Sequence, residues 1–231
     1  MATPSLNWRS TWEGRPRIVI LPVGSFEQHG PHLPYETDTL IAVEVARRLA
    51  SRLNAALLPP IPYGVSPEHM GFPGTITVDP INYCLLLRDI FHSLSTHGTE
   101  LLVIVNGHGG NTSTLDSCAT HWNMTHTRPK VHVTWVWSHT DTMGDKHAGP
   151  AESSIIASLL DLDDIEGEGR DCPGIFHLHP THQCTDSGVV YNGSFTSSRE
   201  LGRKLLDDIV KSVLKEVCKV VEILGLDLDC P

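Results

Sequence analysis

Short, unbroken runs of apolar residues alternate along the chain with longer segments whose apolar residues recur every three or four positions. The unbroken runs are typical of strands buried on both faces of a parallel sheet, and the periodic segments are typical of amphipathic helices. The predicted strands span residues 17–23, 55–61, 100–105 and 131–137. The predicted helices run from 38 or 39 to about 53, from 81 to 97, from 111 or 112 to about 126, from near 150 onward, and from 197 to 224. This order predicts an α/β fold, a three-layer sandwich with a mostly parallel central sheet.

Three other segments lack this periodicity. Residues 62–78 are rich in Gly and Pro and predict a long loop, residues 161–170 are acidic and predict a solvated loop, and residues 171–192 show little regular pattern. No repeat, linker or low-complexity stretch divides the chain, so we expect a single domain over residues 1–231.

Composition excludes several functional classes. The 231 residues are 40% hydrophobic and 19% charged, a balance that supports a sizeable core. With 17 basic and 27 acidic side chains the net charge is −10, and we find no basic patch, so we expect no nucleic-acid partner. No apolar run reaches the roughly 18 residues of a membrane span, and residues 1–14 lack the order of a signal peptide. We therefore expect a cytoplasmic protein with no membrane partner.

Cysteine and histidine usage bear on redox state and metal binding. The six cysteines form no C-x-x-C pair, and in a reducing compartment we expect free thiols. Cys172 and Cys184 lie close together in the sequence, so a disulfide between them stays open. The 14 histidines point weakly to metal chemistry, because His is the commonest metal ligand.

Candidate chemistry gathers where three predicted strands end. In open α/β sheets, ligands bind beyond the carboxyl ends of the strands. These ends are followed by Glu27-Gln28-His29-Gly30-Pro31-His32 and Asp38, by Asn106-Gly107-His108-Gly109-Gly110-Asn111, and by His139, Asp141, Asp145 and His147-Ala148-Gly149-Pro150-Ala151-Glu152. Carboxylates together with imidazoles suit Zn²⁺, Mn²⁺ or Fe²⁺. The convergence predicts a metal site at this edge of the sheet.

Each of these residues also has a structural interpretation. Glu27 and His29 could be surface groups, Asp38 could cap the helix that follows, and Glu152 could interact with a helix dipole. His108 could be held in a tight glycine turn, which also resembles a phosphate loop. Neither G-x-G-x-x-G nor G-x-x-x-x-G-K-[ST] is present, so the support for nucleotide binding is weak.

Together these segments resemble the creatininase (creatinine amidohydrolase) family. The resemblance rests on Leu21-Pro22-Val23-Gly24-Ser25-Phe26-Glu27-Gln28-His29-Gly30 with Asp38, on the His108 and His147 segments, and on Ser187-Gly188-Val189-Val190 with residues 197–202. It covers about residues 17–215. It implies a dinuclear metal hydrolase with a parallel-sheet α/β sandwich, usually assembled as a homohexamer.

The resemblance also implies roles for individual residues. Glu27 and His108 would hold one divalent ion (Zn, Mn or Fe), His29 would hold a second, and Asp38 would bridge them. Glu152 would be a further ligand. His147 would lie near the substrate as a proton-transfer or positioning residue.

Some positions depart from the creatinine-hydrolysing members. Those members carry an aromatic residue and a metal-binding Glu where this chain has Gly109 and Gly110, and a Trp where it has Met143. The second ion would then need Glu152, Trp137 could partly replace the missing aromatic surface, and creatinine is not the expected substrate.

The glycine version of the loop resembles two other branches of the family. One comprises deformylases of a formylaminopyrimidine nucleotide, and the other comprises peptidases that trim the mycofactocin precursor. Residues 62–64, 68–69 and 72–75 resemble the peptidase branch most. Glu68 and His69 could equally be ordinary polar residues of the loop.

The sequence thus predicts a dinuclear metal-dependent amidohydrolase that cleaves a C–N bond of a small-molecule or short-peptide substrate through a metal-bridging hydroxide. The oxyanion would rest on one metal and on N–H groups of Gly109 and Gly110, and His147 would pass a proton to the leaving nitrogen. Two alternatives stay open: a catalytically inactive member that binds a small molecule, favoured by Gly110, and a nucleotide-binding module on the His108 loop. His177, His179 and His182 are interpreted as pocket-edge or structural residues.

Overall fold

A four-stranded parallel sheet forms the centre of the protein. The computed structural model describes residues 11–14, 16–172, 178–227 and 230. The strands are β1 (Ile18–Val23), β2 (Ala56–Leu57), β3 (Leu101–Asn106) and β4 (Lys130–Trp135), in the order β2-β1-β3-β4. Parallel pairing runs along the full length of β1 with β3 and of β3 with β4. The predicted parallel central sheet is confirmed.

Helices cover both faces of this sheet. They are α1 (Thr37–Leu53), α2 (Pro80–Thr96), α3 (Thr112–Thr125), α4 (Pro150–Leu160) and α5 (Arg199–Ile223). Helices α1, α4 and α5 pack on one face, and α2 and α3 pack on the other. The predicted three-layer α/β sandwich is therefore confirmed.

Burial on two sides explains the unbroken apolar runs in the sequence. Ile18 and Ile20 of β1 pack toward α1, α4 and α5, whereas Val19 and Leu21 pack toward α2 and α3. All residues of β1 and β3 are buried. Since neighbouring side chains of a strand point to opposite faces, both sets of positions must be apolar.

Two predicted segments differ in the structure. Strand β2 spans only two residues instead of 55–61, because Pro59, Pro60 and Pro62 lack the N–H groups that a strand ladder requires. The acidic segment 161–170 is not wholly a loop, since it contains β5 (Glu166–Gly169), which pairs antiparallel with β6 (Gly193–Thr196). Exposed Glu residues alternate with Gly in β5, so its carboxylates stay in solvent while it pairs.

Asp38 is not the cap of α1. The helix begins one residue earlier, at Thr37, and the preceding Glu36 makes no side-chain cap. The side chain of Asp38 is instead buried in the first turn. By contrast, Asp79 and Ser198 cap α2 and α5 through hydrogen bonds to backbone N–H groups. Asp38 is thus available for another role.

The prediction that the cysteines are free thiols is wrong for this structure. All six pair as Cys84–Cys118, Cys172–Cys184 and Cys218–Cys230, with Cα atoms 5.9, 6.0 and 5.6 Å apart, a separation that suits a disulfide. The first pair forms because α2 and α3 lie side by side on one face of the sheet, which brings residues distant in sequence together. No helix within the described ranges has the length and apolar character needed to span a membrane.

Candidate metal centre

The candidate site lies where β1 and β3 end, at a reversal of strand order. From β1 the chain crosses to β2 on one side through α1, and it later reaches β3 on the other side through α2. The two helices lie on opposite faces, so their connections leave a crevice above the ends of β1 and β3. A cavity of about 610 Å³ opens there.

Asp38 faces two histidines from the first turn of α1. Its Oδ1 lies 3.3 Å from His29 Nε2, and its Oδ2 lies 3.0 Å from His108 Nδ1 and accepts the Ser25 hydroxyl at 2.7 Å. Burial alone would raise the pKa of Asp38, but His29 and His108 hold that pKa well below its ordinary value. Gly107 allows this close approach, because a Cβ there would overlap the carbonyl oxygen of Asp38.

Glu27 is the decisive residue of the cluster. It is 0% exposed, and neither carboxylate oxygen accepts a hydrogen bond from any described residue. The nearest ring nitrogens are His108 Nε2 at 3.3 Å, His69 Nε2 at 3.5 Å and His147 Nδ1 at 3.8 Å. Burial raises the pKa of Glu27 to about 7, although His108 partly opposes that shift. A buried carboxylate that accepts no well-formed hydrogen bond and is surrounded by imidazoles fits a divalent cation, whose charge would compensate it.

His29 and Glu152 close the cluster on the side of α4. Since a carbonyl oxygen can only accept, His29 Nδ1 donates to the Glu27 carbonyl at 3.1 Å and turns Nε2 toward Asp38. Glu152 Oε2 lies 3.9 Å from that Nε2 and accepts the Ala148 N–H at 2.6 Å. Burial raises the pKa of Glu152 to about 8, helped by the nearby Asp145 carboxylate.

The N-terminus of α4 is held by a separate carboxylate. Asp145 accepts the N–H groups of Gly149, Ala151 and Glu152 at 2.9 to 3.1 Å. Because Asp145 satisfies these three N–H groups, the side chain of Glu152 takes only the Ala148 N–H and also reaches the cluster.

Two asparagines shape the loop that carries His108. Asn106 accepts the His108 N–H at 3.1 Å and donates to its carbonyl at 2.8 Å. Asn111 donates to the Gly24 carbonyl at 2.9 Å and accepts the Val65 N–H at 2.9 Å. The predicted role of these amides in fixing the loop is thus seen in the structure.

His147, predicted to carry protons, lies inside the cluster. It is 5% exposed, and its ring stands between those of His29 and His69, with centroids 4.3 and 4.2 Å away. Its Nε2 donates to the Gln28 carbonyl at 2.7 Å, which turns Nδ1 toward Glu27. Burial holds the pKa of His147 well below its ordinary value, so the ring is neutral and Nδ1 carries a lone pair. That nitrogen can bind a cation or accept a proton.

His69, which the sequence analysis left open between a residue of the pocket and an ordinary polar residue of the loop, lies in the site. It ends a short 3₁₀ helix, Pro67–His69, and is 1% exposed. The loop of residues 62–78 closes on itself at the Gly64–Thr77 bridge and pairs with the segment after β1 at the Phe26–Ile76 bridge, and His69 lies beside Glu27 within this loop. Its signal was a Glu-His pair in a Gly/Pro-rich loop, which also describes many exposed loops.

All six predicted site residues meet in one place. Ligand atoms lie within 4.8 Å of one another in three groups: Glu27 with His69 and His147, His29 with His147 and Glu152, and Glu27 with His29 and Asp38. His179 and His182 are exposed and belong to none of these groups, and His177 lies outside the described residues. Different segments form the rim of the cavity, including Trp135 at the end of β4 and Trp137 and Lys146 between β4 and α4.

A family model described as creatinine amidohydrolase matches residues 5–217. The chain belongs to the creatininase family. The family indicated by the sequence motifs is therefore confirmed.

The proteins that this chain is similar to include a peptidase and a deformylase. The mycofactocin precursor peptide peptidase of Mycolicibacterium smegmatis is 37% identical over 157 residues, which cover 65% of this chain and 61% of that protein. The chain thus spans about three fifths of the length of that peptidase. A formylaminopyrimidine nucleotide deformylase of Methanothermobacter thermautotrophicus is 30% identical over 228 residues, 90% of this chain and 91% of that protein.

Solved creatininases share the fold. One mutant creatininase superposes with a TM-score of 0.78 at 25% identity, covering 93% of this chain and 96% of its own. Another, described as the Zn–Zn type, superposes with a TM-score of 0.78 at 25% identity over 93% and 95% of the two chains.

Proposed function

We propose that the protein is an amidohydrolase that binds two divalent metal ions and cleaves a C–N bond of a small-molecule or short-peptide substrate. The observation that carries the proposal is the Glu27 carboxylate, which is fully buried, accepts no well-formed hydrogen bond and is faced by three imidazoles. A protein rarely leaves such a group uncompensated.

The arrangement suits two neighbouring cation sites. Glu27 and His108 would hold one ion, and His29 and Glu152 would hold the other. Asp38 would bridge them, since its two oxygens already face His108 and His29 separately. With Glu152 as a ligand, the second ion would not need the carboxylate that creatinine-hydrolysing members carry at the position of Gly110. Zn, Mn and Fe all match this donor set.

The protein's own residues would handle the protons and the charge. Bound divalent ions would supply a water of lowered pKa and polarise the substrate carbonyl. Neutral His147 would accept the proton of that water on Nδ1 and pass it to the leaving nitrogen. Backbone N–H groups of Gly109 and Gly110, which line the cavity, would lie beside the oxyanion.

The relatives support an amide substrate without fixing its identity. One is a peptidase for a precursor peptide and another is a deformylase of a formylamino group. In both cases the bond to be cleaved joins an acyl carbon to a nitrogen. The rim offers the indole rings of Trp135 and Trp137 and the ammonium group of Lys146, which pairs with Asp171 at 2.6 Å. We propose that the preferred substrate carries its acyl carbon to nitrogen bond beside a planar group. A homohexamer in the cytoplasm remains our prediction for its assembly and location.

Metal content per chain, measured by elemental analysis, tests the proposal. We expect two ions in the wild type and in the exposed control Asp89→Ala, and a halved or lost content in Asp38→Ala together with loss of turnover on a panel of formamides and short peptides. One ion or none, unchanged in Asp38→Ala, would overturn the bridged arrangement. Two ions without turnover on any amide would favour a binding protein.

A further inference from the structure

We propose that His69 acts as a fixed hydrogen-bond donor in the reaction, and that Gln28 sets it in that form. This inference rests on the proposed function and adds to it a residue whose role differs from that of the metal ligands. It follows from where hydrogens can lie in a small buried network of Gln28, His69 and His147.

The amide of Gln28 has only one orientation that satisfies its backbone neighbours. Its Oε1 accepts the Gly30 N–H at 2.9 Å, and its Nε2 donates to the Gly188 carbonyl at 3.1 Å. Exchanging the two ends would place N–H against N–H and oxygen against oxygen. The second hydrogen of Nε2 therefore points at the two imidazoles.

Only one of those imidazoles can accept this hydrogen. His147 Nε2 lies 3.0 Å from the amide nitrogen, but it also lies 2.7 Å from the Gln28 carbonyl, to which it must donate. It therefore carries a hydrogen and cannot accept another. His69 Nδ1, at 2.9 Å from the amide nitrogen, is the acceptor.

The two stacked rings consequently present opposite chemistry to the cluster. With Nδ1 accepting, neutral His69 holds its hydrogen on Nε2, the atom that lies 3.5 Å from Glu27 Oε1, and His69 is one of the residues that line the cavity. Neutral His147 holds its hydrogen on Nε2 and turns a lone pair inward. A nitrogen that carries a hydrogen cannot ligate a metal. His147 is therefore suited to bind a metal ion or to accept a proton, and His69 is suited to donate a hydrogen bond.

In the reaction, His69 would donate a hydrogen bond from Nε2 to the substrate carbonyl oxygen as water adds to the carbonyl carbon. The carbonyl π electrons move onto that oxygen, whose negative charge is then shared with the N–H of His69. His69 keeps its hydrogen throughout, and the leaving nitrogen receives its proton from His147. A preorganised donor of this kind typically contributes about 10²- to 10³-fold to kcat.

The test compares His69→Leu, which removes the donor, with His69→Gln, which can place an N–H near the position of Nε2. We expect His69→Leu to lose about 10²- to 10³-fold in kcat with KM and metal content unchanged, and His69→Gln to recover most of the rate. A fall in metal content in His69→Leu would make His69 a ligand and overturn the proposal. So would an unchanged kcat, an effect confined to KM, or a lack of recovery in a folded His69→Gln.

A second measurement does not depend on activity. Nitrogen-15 NMR of the histidine rings in the metal-free protein should show His69 with hydrogen on Nε2 and none on Nδ1, and the opposite tautomer would refute the assignment. If the wild type binds no metal and hydrolyses no amide, the proposed function fails. If the wild type is active and His69→Leu matches it, only the role of His69 fails.

Discussion

The buried carboxyl of Glu27 predicts that one substitution changes stability in opposite directions with and without metal. In the metal-free protein, folding moves this group from water into a buried site where neither of its oxygens accepts a well-formed hydrogen bond. Glu27→Gln removes the charge with little change in shape. We expect the variant to be more stable than the wild type without metal, and less stable with it.

The magnitude follows from the pKa. Burial raises the pKa of Glu27 from 4.5 to about 7. A raised carboxyl pKa means that the folded state favours the protonated form. The contribution of this carboxyl to the free energy of unfolding is therefore complete below pH 4.5 and is lost as the pH rises through about 7. At about 1.4 kcal/mol per pH unit, the wild type loses about 3 kcal/mol by pH 9 but only about 1 kcal/mol by pH 5. Glu27→Gln avoids this loss.

Urea unfolding followed by circular dichroism measures the difference. The EDTA-treated variant should exceed the wild type by about 3 kcal/mol at pH 9 and by about 1 kcal/mol at pH 5. Excess Zn²⁺ should reverse the order, since a ligand at 100 times its Kd stabilises the protein that binds it by about 2.7 kcal/mol. The exposed control Glu222→Gln should show neither effect. A difference between Glu27→Gln and wild type that does not vary with pH would refute this reasoning.

Two further predictions concern regions away from the centre. Burial would raise the pKa of Glu216, but contacts from His132, His139 and Thr134 hold it well below its ordinary value. Glu216→Gln should therefore lower the free energy of unfolding by about 1 kcal/mol at pH 7. A lowered carboxyl pKa means that the folded state is stabilised only while the group is ionised. The urea unfolding curve of the variant should therefore approach that of the wild type as the pH falls below 4.5 toward the folded pKa. For the cysteines, the disulfides of the structure predict that alkylation of the denatured protein without reductant adds no mass. Alkylation of up to six thiols would contradict this and would match the free thiols that the sequence analysis expects in the cytoplasm.

The sequence predicted the layers of the fold because each layer leaves a local pattern. Continuous apolar runs at β1 and β3 report burial on two faces, and the repeat in α5 reports burial on one. Strand β5 left no such pattern, since its pairing depends on Phe195 packing at Gly167, far away in the sequence. Pairing between distant segments is what local periodicity cannot report.

The site divides in the same way. Glu27, His29 and His108 follow directly from strand ends, where the topology of the sheet makes them converge. His69 enters from a loop that is held by bridges between Gly64 and Thr77 and between Phe26 and Ile76, so only the folded chain brings it to Glu27. The Cys84–Cys118 disulfide was missed for the same reason, because these residues meet only when two helices pack side by side.

The rim of the cavity and its floor come from different parts of the chain. The predicted ligands follow β1 and β3 and begin α4, whereas Trp135 ends β4 and Trp137, Thr142 and Lys146 lie on the connection between β4 and α4. Substitutions in that connection can change which molecules enter while the proposed ion-binding floor stays intact. Such a separation allows selection to exchange substrates without rebuilding that floor. For redesign, it makes residues 135–146, apart from Asp145, the natural segment to randomise, because Asp145 holds the start of α4.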